Sequence, residues 1–457
     1  MIPDDEINLA PLRRALEGIV PPILATRDAA GMPNISMISQ VHYVDDQHVA
    51  LSYQFFNKTR RNLLETRIAS VEVADAVTNA QHRLKLEYLE TQDTGPIFEE
   101  MRAKLAGIAS HSGMAGVFRL RGADIFRVRG IEVVRSRLSD DAPRRRDLLA
   151  IARRSAAKLR ACRDLNGLFA TTLDCLTRDF GIEYGKILLL DPQAERFYTL
   201  MSRGYAAPGI GSEILMGEGI IGVAARERVP IRINHMTADY RYGAAIRAAI
   251  IEAGVEWQAA TEIPFPGLEA PGSQVALPIL ARDAVFGVLF VESEKPMRFW
   301  HDDEDALAIL TEVIGAAIPL LSECDLESAE APADHGPPPV RDSIVVRHFA
   351  RDDSVFVGHD YLIKGVAGAI LWRLLREHAA TGRTEFTTRE LRLDPSLRLP
   401  EFAENLDARL VLLRNRLGER QAPIRLEKCG RGRLRLCAAG PVTLEPVGAD
   451  ATGARLA

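Results

Sequence analysis

The stretch LSYQFFNKTRRNLLET, residues 51–66, places Gln54, Asn57, Lys58, Thr59, Arg60, Arg61 and Asn62 between an alternating run and a helical one. Alternation in VALSYQF puts Ser52 and Gln54 on one strand face and Leu51 and Tyr53 on the other. With the Ser52 face lining a cleft, Lys58 and the free N–H groups of a helix starting near Thr59 converge on its mouth. That is the chemistry of an anion site, phosphate above all. The same residues also read as an N-cap, Asn57 or Thr59, followed by cations in water. The residues alone leave both readings open.

A second concentration of charge lies in NLDARLVLLRNRLGERQAPIRLEKCGRGRLRL. Leu406, Leu410, Leu413 and Leu417 make one apolar helical stripe, which leaves Arg409 and Arg416 on other faces. The hairpin that follows carries Arg425, Lys428, Arg431, Arg433 and Arg435, with Gly430 and Gly432 at its turn. A helix able to enter a groove, followed by a basic wing, suits nucleic acid, because the arginines neutralise phosphates while the helix is held in register. Glu404 near the helix start opposes this, and an outward Leu412 suits a protein partner.

No nucleophile and base pair and no metal-ligand cluster is visible, so no catalytic residue and no metal are expected. The five cysteines are odd in number and lack a CxxC pair, which predicts reduced thiols in the cytoplasm. Cys162 and Cys175 read as buried structural thiols. No stretch of about 18 apolar residues predicts a membrane span. The net charge of −5 gives no global attraction to nucleic acid, but from residue 341 onward 20 basic side chains face 15 acidic ones.

The 457 residues imply about three domains. Breaks fall at RSRLSDDAPRRRD and at the Pro-rich ESAEAPADHGPPPVRD. The first block is a series of short strands with turn signals at Asp28–Gly31 and Asp45–Asp46, which suggests a small barrel that closes its own edges. The second opens with one helix over about 146–179, continues in strands such as YGKILLLD and AVFGVLFVES, and closes with a helix whose first turn is acidic. The third runs strands, three helices and the hairpin.

Three resemblances follow. The order ILATRDAAGMPNISMIS, a strand, then NKTRRNL is similar to the pyridoxamine 5′-phosphate oxidase-like split barrel, over roughly residues 12–135. The resemblance implies a homodimer binding FMN between subunits, with Lys58 on the phosphate and Thr59, Asn62, Ser52 and Gln54 beside it. Relatives bind flavin, deazaflavin or haem, or nothing. GEGIIGVAARERVPIRINHMTADYRY with SQVALPILARDAVFGVLFVES resembles a GAF domain, which implies a small-molecule effector pocket under Asp239, Tyr240 and Tyr242, with His235 a further loop residue. The C-terminal block resembles the winged-helix output domain of response regulators, which implies DNA contacts by Arg409, Arg416, Lys428, Arg431 and Arg433.

The expected fold is thus multidomain α+β: a split β-barrel over 1–138, a GAF domain over 146–320 with a leading helix, a linker over 321–342, a winged helix over 343–440 and a flexible tail over 441–457. The expected function is an intracellular sensor and transcriptional regulator. The alternative is an FMN-dependent oxidoreductase with a regulatory GAF domain.

Overall fold

The computed structural model describes residues 7–17, 20, 22–38, 41–53, 57–111, 120–136, 146–192, 194–234, 265–324, 343–358, 360–397, 399 and 404–447 apart from 431. Among them, no helix is long and apolar enough to cross a membrane.

The first domain is one antiparallel sheet in the order β2-β1-β5-β6-β7-β4-β3. Its strands are β1 (Ile23–Arg27), β2 (Pro33–Met37), β3 (Val41–Tyr43), β4 (His48–Tyr53), β5 (Ile68–Ala74), β6 (Gln81–Gln92) and β7 (Gly122–Arg135). The turn signals act as expected: Asp28 accepts from the Met32 N–H at 2.8 Å, and Asp45 from the Gln47 and His48 N–H groups at 2.8 and 2.9 Å. Bulges in β6 and β7 let the two longest strands bend, so that Leu24, Val41, Leu51, Val71, Leu84 and Phe126 from six strands share one core. Two expectations change. The final pair of strands is the single β7, and β2 and β3 remain the two edges of the sheet, unpaired with each other among the described residues. Helix α1 (Asn57–Thr66) lies against β1 and β2, and α2 (Pro96–His111) leaves the sheet toward the middle domain.

The middle domain is a six-stranded antiparallel sheet, β10-β9-β8-β13-β12-β11. It comprises β8 (Tyr184–Asp191), β9 (Arg196–Arg203), β10 (Glu213–Leu215), β11 (Ile231–Ile233), β12 (Ser273–Ala281) and β13 (Ala284–Ser293). The single helix expected over 146–179 is two, α3 (Leu148–Arg160) and α4 (Leu165–Arg178). Asp164 breaks it, since its carboxylate accepts from the Gly167 N–H at 2.8 Å and caps a new helix. One sheet face, with Ile187, Leu189, Val275, Leu277 and Val291, packs α3, α4 and α6 (His301–Cys324). The other, with Leu188, Ala276, Val288 and Phe290, packs α5 (Gly219–Glu227). Gly222 is required there, because a Cβ would stand 2.4 Å from the Leu215 carbonyl oxygen.

The C-terminal domain has a sheet β16-β15-β14-β20, where β14 is Ile344–Phe349, β15 Ser354–Val357, β16 Asp360–Ile363 and β20 Val442–Val447. The helices α7 (Gly365–Thr381), α8 (Thr388–Arg392) and α9 (Glu404–Glu419) follow the first three strands. A second sheet, β17-β19-β18, joins Glu385–Thr387 to the hairpin Ile424–Lys428 and Arg433–Ala438. The flexible tail expected from 441 is corrected in part: Val442–Val447 pairs in parallel with β14, burying the row that starts at Ile344.

Both outer domains pack on the middle one. Ala103 of α2 joins the core of Ile220, Val223 and Ala224 on the α5 face, while Leu410, Leu412 and Leu413 of α9 belong to the same core as Phe169 and Leu200 on the other. The face bearing α6 needs a close approach at Gly315, where a Cβ would meet the Leu280 carbonyl oxygen at 1.9 Å. Backbone cannot yield as a side chain does. Gly315→Ala is therefore expected to cost about 2–3 kcal/mol, read as a fall of several degrees in the melting temperature. An unchanged melting curve would contradict this packing.

Candidate functional site

The polar knot at α1 divides in two. Lys58 and Arg61 are exposed, whereas Thr59 and Asn62 are buried. The Thr59 hydroxyl bonds Asn34 Nδ2 at 2.9 Å and Ser36 Oγ at 2.8 Å, and Asn62 Nδ2 donates to Thr26 Oγ1 at 3.2 Å. These side chains fasten α1 to β1 and β2. Arg60 pairs with Asp124 and lies 4.8 Å over the Tyr53 ring, and Thr91 donates to the same carboxylate at 2.5 Å. Burial pushes the Asp124 carboxyl upward against the pull of Thr91 and Arg60. Ser52 Oγ is buried without a partner beside a cavity of about 10 Å³, room for about one water. Gln54 lies outside the described residues. Within one chain, then, the Thr59 hydroxyl and Asn62 Nδ2 are taken up by packing, while Ser52 Oγ and Asn62 Oδ1 are buried without hydrogen-bond partners, so these residues form no open phosphate cradle with the exposed Lys58. His82 and Arg83 lie on β6, and Arg83 is held by Glu72 at 3.2 Å and Glu132 at 3.5 Å.

In the middle domain, Asp239, Tyr240, Tyr242 and His235 lie outside the described residues. The α5 face nonetheless carries a buried polar cluster that the sequence reading missed. Lys186 is fully buried, its Nζ 3.6 Å from Glu292 Oε1, hydrogen bonded to the Pro266 carbonyl and enclosed by the rings of Phe265, Tyr205 and Phe290 at 4.1, 4.5 and 4.8 Å. Glu292 also accepts from Gln274 Nε2 at 3.0 Å. Both polar atoms of the Asn234 amide and Oε1 of Gln274 are buried without partners. Burial pushes the Lys186 ammonium down from 10.5 to about 8, against the pull of Glu292, and pushes the Tyr205 phenol well above its usual range. A cation, a carboxylate and an amide oxygen of Gln274 left unsatisfied on one face are the features of a small-molecule site. The signal was present: a lysine in YGKILLLD and a glutamate in AVFGVLFVES stand inside otherwise apolar strands, where a charge needs a partner.

At the C-terminus the structure corrects the expected placement of two arginines. Arg409 is 7% exposed, pairs with Asp191 of β8 at 2.6 Å and lies 4.3 Å over the Tyr198 ring. Arg416 is 5% exposed; its Nε donates to the Leu362 carbonyl at 2.8 Å and it pairs with Glu419 at 2.6 Å. Neither is presented to solvent, because each neutralises a partner inside the protein. Asn415 donates to the Leu200 carbonyl at 3.1 Å, and Leu412, between it and Arg409 on the helix, is buried and not outward. Lys428 and Arg433 are exposed on the C-terminal hairpin, Lys428 with Asp164 of the middle domain at 3.8 Å; Arg431 lies outside the described residues. Cys175 is buried as expected, and burial raises its thiol, whereas Cys162 is only half-buried. Among the described residues, no group of His, Cys, Asp and Glu is placed to hold a metal ion.

Residues 162–318 match the GAF domain family, so the middle domain is a GAF domain. No curated protein matches the chain. Among solved structures, the chain is similar to the GAF domain of an Acinetobacter phosphoenolpyruvate-protein phosphotransferase, at 20% identity over 38% of this chain and 92% of that one, with a TM-score of 0.29. A free methionine-R-sulfoxide reductase from Neisseria meningitidis, solved with its substrate, matches at 17% identity over 37% of this chain and 86% of its own, with a TM-score of 0.28. An FMN-binding protein from Syntrophomonas wolfei subsp. wolfei matches at 21% identity over 28% of this chain and 87% of its own, with a TM-score of 0.25.

The Lys186–Glu292 pair makes two measurable demands. Glu292→Ala strands a buried ammonium and is expected to cost about 3 kcal/mol. Between about pH 8 and 10.5 the unfolded chain keeps a proton that the folded chain has lost at Lys186, so stability rises with pH across that window. Thermal melts should show the wild type gaining on Lys186→Met by up to about 3 kcal/mol there; parallel curves would remove the assignment.

Proposed function

We propose that the protein is a sensory regulator in which the GAF domain, reading a small-molecule effector through the Lys186–Glu292 cluster, governs the release of a C-terminal winged-helix domain. The C-terminal order of strands, three helices and a basic hairpin supports the winged-helix reading. The observation that carries the proposal is the burial of α9 on two sides, one in its own domain and one on the GAF sheet through Arg409 and Asp191. A helix held this way cannot enter a DNA groove. Released, it would expose Arg409 beside Lys428 and Arg433, the cations a phosphate backbone requires.

The test is DNA retardation by the full chain at low salt, wild type against Asp191→Ala/Asn415→Ala. The released variant is expected to bind about tenfold more tightly, with an affinity that falls steeply as salt rises. Absence of retardation in both proteins would sink the DNA reading and leave a protein-contact module, which the apolar Ala408, Val411 and Leu412 favour.

A second reading places a flavin between two copies of the first domain. It rests on the exposed Lys58 and Arg61, and on the bare outer face of β1 and β2, where Ile23, Ile35 and Met37 are 45%, 72% and 65% exposed. The visible spectrum of the purified full chain separates flavin, deazaflavin and haem. A flavin band lost in Lys58→Ala supports this reading, and a colourless dimer or monomer ends it.

A further inference from the structure

A cavity of about 640 Å³ lies between the first domain and the GAF domain. Its size falls in the range of small-ligand sites, and domain interfaces are where such sites concentrate. His42 of β3 and Glu100 and Lys104 of α2 form one wall; Arg232 of β11 and Glu304 and Asp305 of α6 form the other.

The charges decide what fits. Three cations line the cavity, Arg13, Lys104 and Arg232, against four carboxylates, Glu99, Glu100, Glu304 and Asp305. Burial, reinforced by Lys104, holds His42 down at about 4, so its ring is neutral at pH 7. Glu99 is also paired with Arg102, so the charges about the cavity balance and offer no net attraction to a nucleotide or any other polyanion. Most of its ions are already matched: Lys104 with Glu100 at 2.7 Å, and Arg232 with Glu304 at 2.8 Å. Two acceptors are underused. Asp305 faces Arg13 at 3.9 Å, beyond hydrogen-bond distance, and Glu100 Oε2 stands 3.7 Å from His42 Nε2.

We propose that this interdomain cavity binds a small molecule bearing a protonated amine, with the ammonium held by Glu100 and Asp305 beside the His42 ring. Glu100 and His42 belong to the first domain and Asp305 to the GAF domain, so the ligand ties the two together. This is a second input, separate from the Lys186 cluster on the GAF sheet. The amine has two sources that share this chemistry. An amino acid would also place its carboxylate on Arg13, which already lies 4.6 Å over the Tyr43 ring. A diamine or polyamine would place a second ammonium on Glu99 or Glu304 in competition with Arg102 or Arg232.

Calorimetric titration of the full chain at neutral pH tests this with L-alanine, L-lysine, putrescine and spermidine, and with potassium acetate as the amine-free control. At least one amine is expected to bind saturably, and acetate is not. Each charged hydrogen bond supplies enough that Asp305→Asn and Glu100→Gln should each weaken binding about tenfold. Glu294→Gln, bonded to Tyr184 elsewhere on the GAF domain, should leave it unchanged. Binding of the amino acids alone, lost in Arg13→Gln, assigns the first source; binding of the polyamines, insensitive to Arg13→Gln, assigns the second. No amine binding, or binding indifferent to both carboxamide variants, overturns the proposal. Asp305 is a rim residue with a largely exposed side chain, so its variant decides the matter even if Glu100→Gln fails to fold.

Discussion

The guanidinium of Arg409 sits between the Asp191 carboxylate and the face of Tyr198, nearly out of water, and the arrangement of the chain's C-terminal half depends on it. A buried ion pair is stable only when both charges are satisfied, since the cost of dehydrating them is repaid by their contact and little else. Arg409 stays buried only with Asp191 opposite it, so on the proposed mechanism α9 is either seated on the GAF sheet or free with Arg409 in water. Leu412, between Arg409 and Asn415 on the helix, turns the ionic contact into a hydrophobic seat, and one continuous core then runs from α4 across the GAF sheet into the C-terminal domain.

Strand β8 connects that seat with the cluster on the opposite face. Side chains alternate along it, so Lys186 and Leu188 face α5 while Ile187 and Leu189 face the helices, with Asp191 at the end of the strand on the α9 side. Lys186 and Asp191 are five residues apart, roughly 17 Å along an extended strand. The bulge between Ile187 and Leu188 in the β8–β9 pairing lies between them. Leu200 of β9 is the extra residue there, and such a bulge bends its strand locally.

What the sequence disclosed depended on whether a signal was local. Turn chemistry at Asp28 and Asp45 and the acidic first turn of α6 are features set within a few residues, and they read directly. The leucine stripe of α9 was legible as a buried face. That the opposite face is also buried was not, because nothing in RLVLLRNRL says that the partner is a strand more than two hundred residues earlier. The break at Asp164 was obscured by apolar spacing that continues across it. The polar knot at α1 was ambiguous for a related reason: Thr59 and Asn62 are equally suited to a phosphate and to the hydroxyls of Thr26 and Ser36, and within one chain the fold gives them the hydroxyls. Lys186 and Glu292 were visible as charges in apolar strands but lie more than a hundred residues apart, so neither revealed its partner.

On the proposed mechanism, the energetics of the seat limit what an effector must do. Moving a two-state equilibrium from almost wholly docked to almost wholly released takes about 5.5 kcal/mol of differential binding. Disturbing the Arg409–Asp191 pair supplies about 3 kcal/mol at best, so the rest must come from the apolar part of the contact. An effector that merely rotated the end of β8 would loosen α9 without freeing it. Full release also requires the strand to shift enough to uncover Leu412, and a shift of that size changes the far face of the sheet, where α5 packs against α2. The first domain is anchored at that point through Ala103. On the proposed mechanism, the first domain can therefore bias release of the C-terminal helix by making the sheet harder or easier to distort.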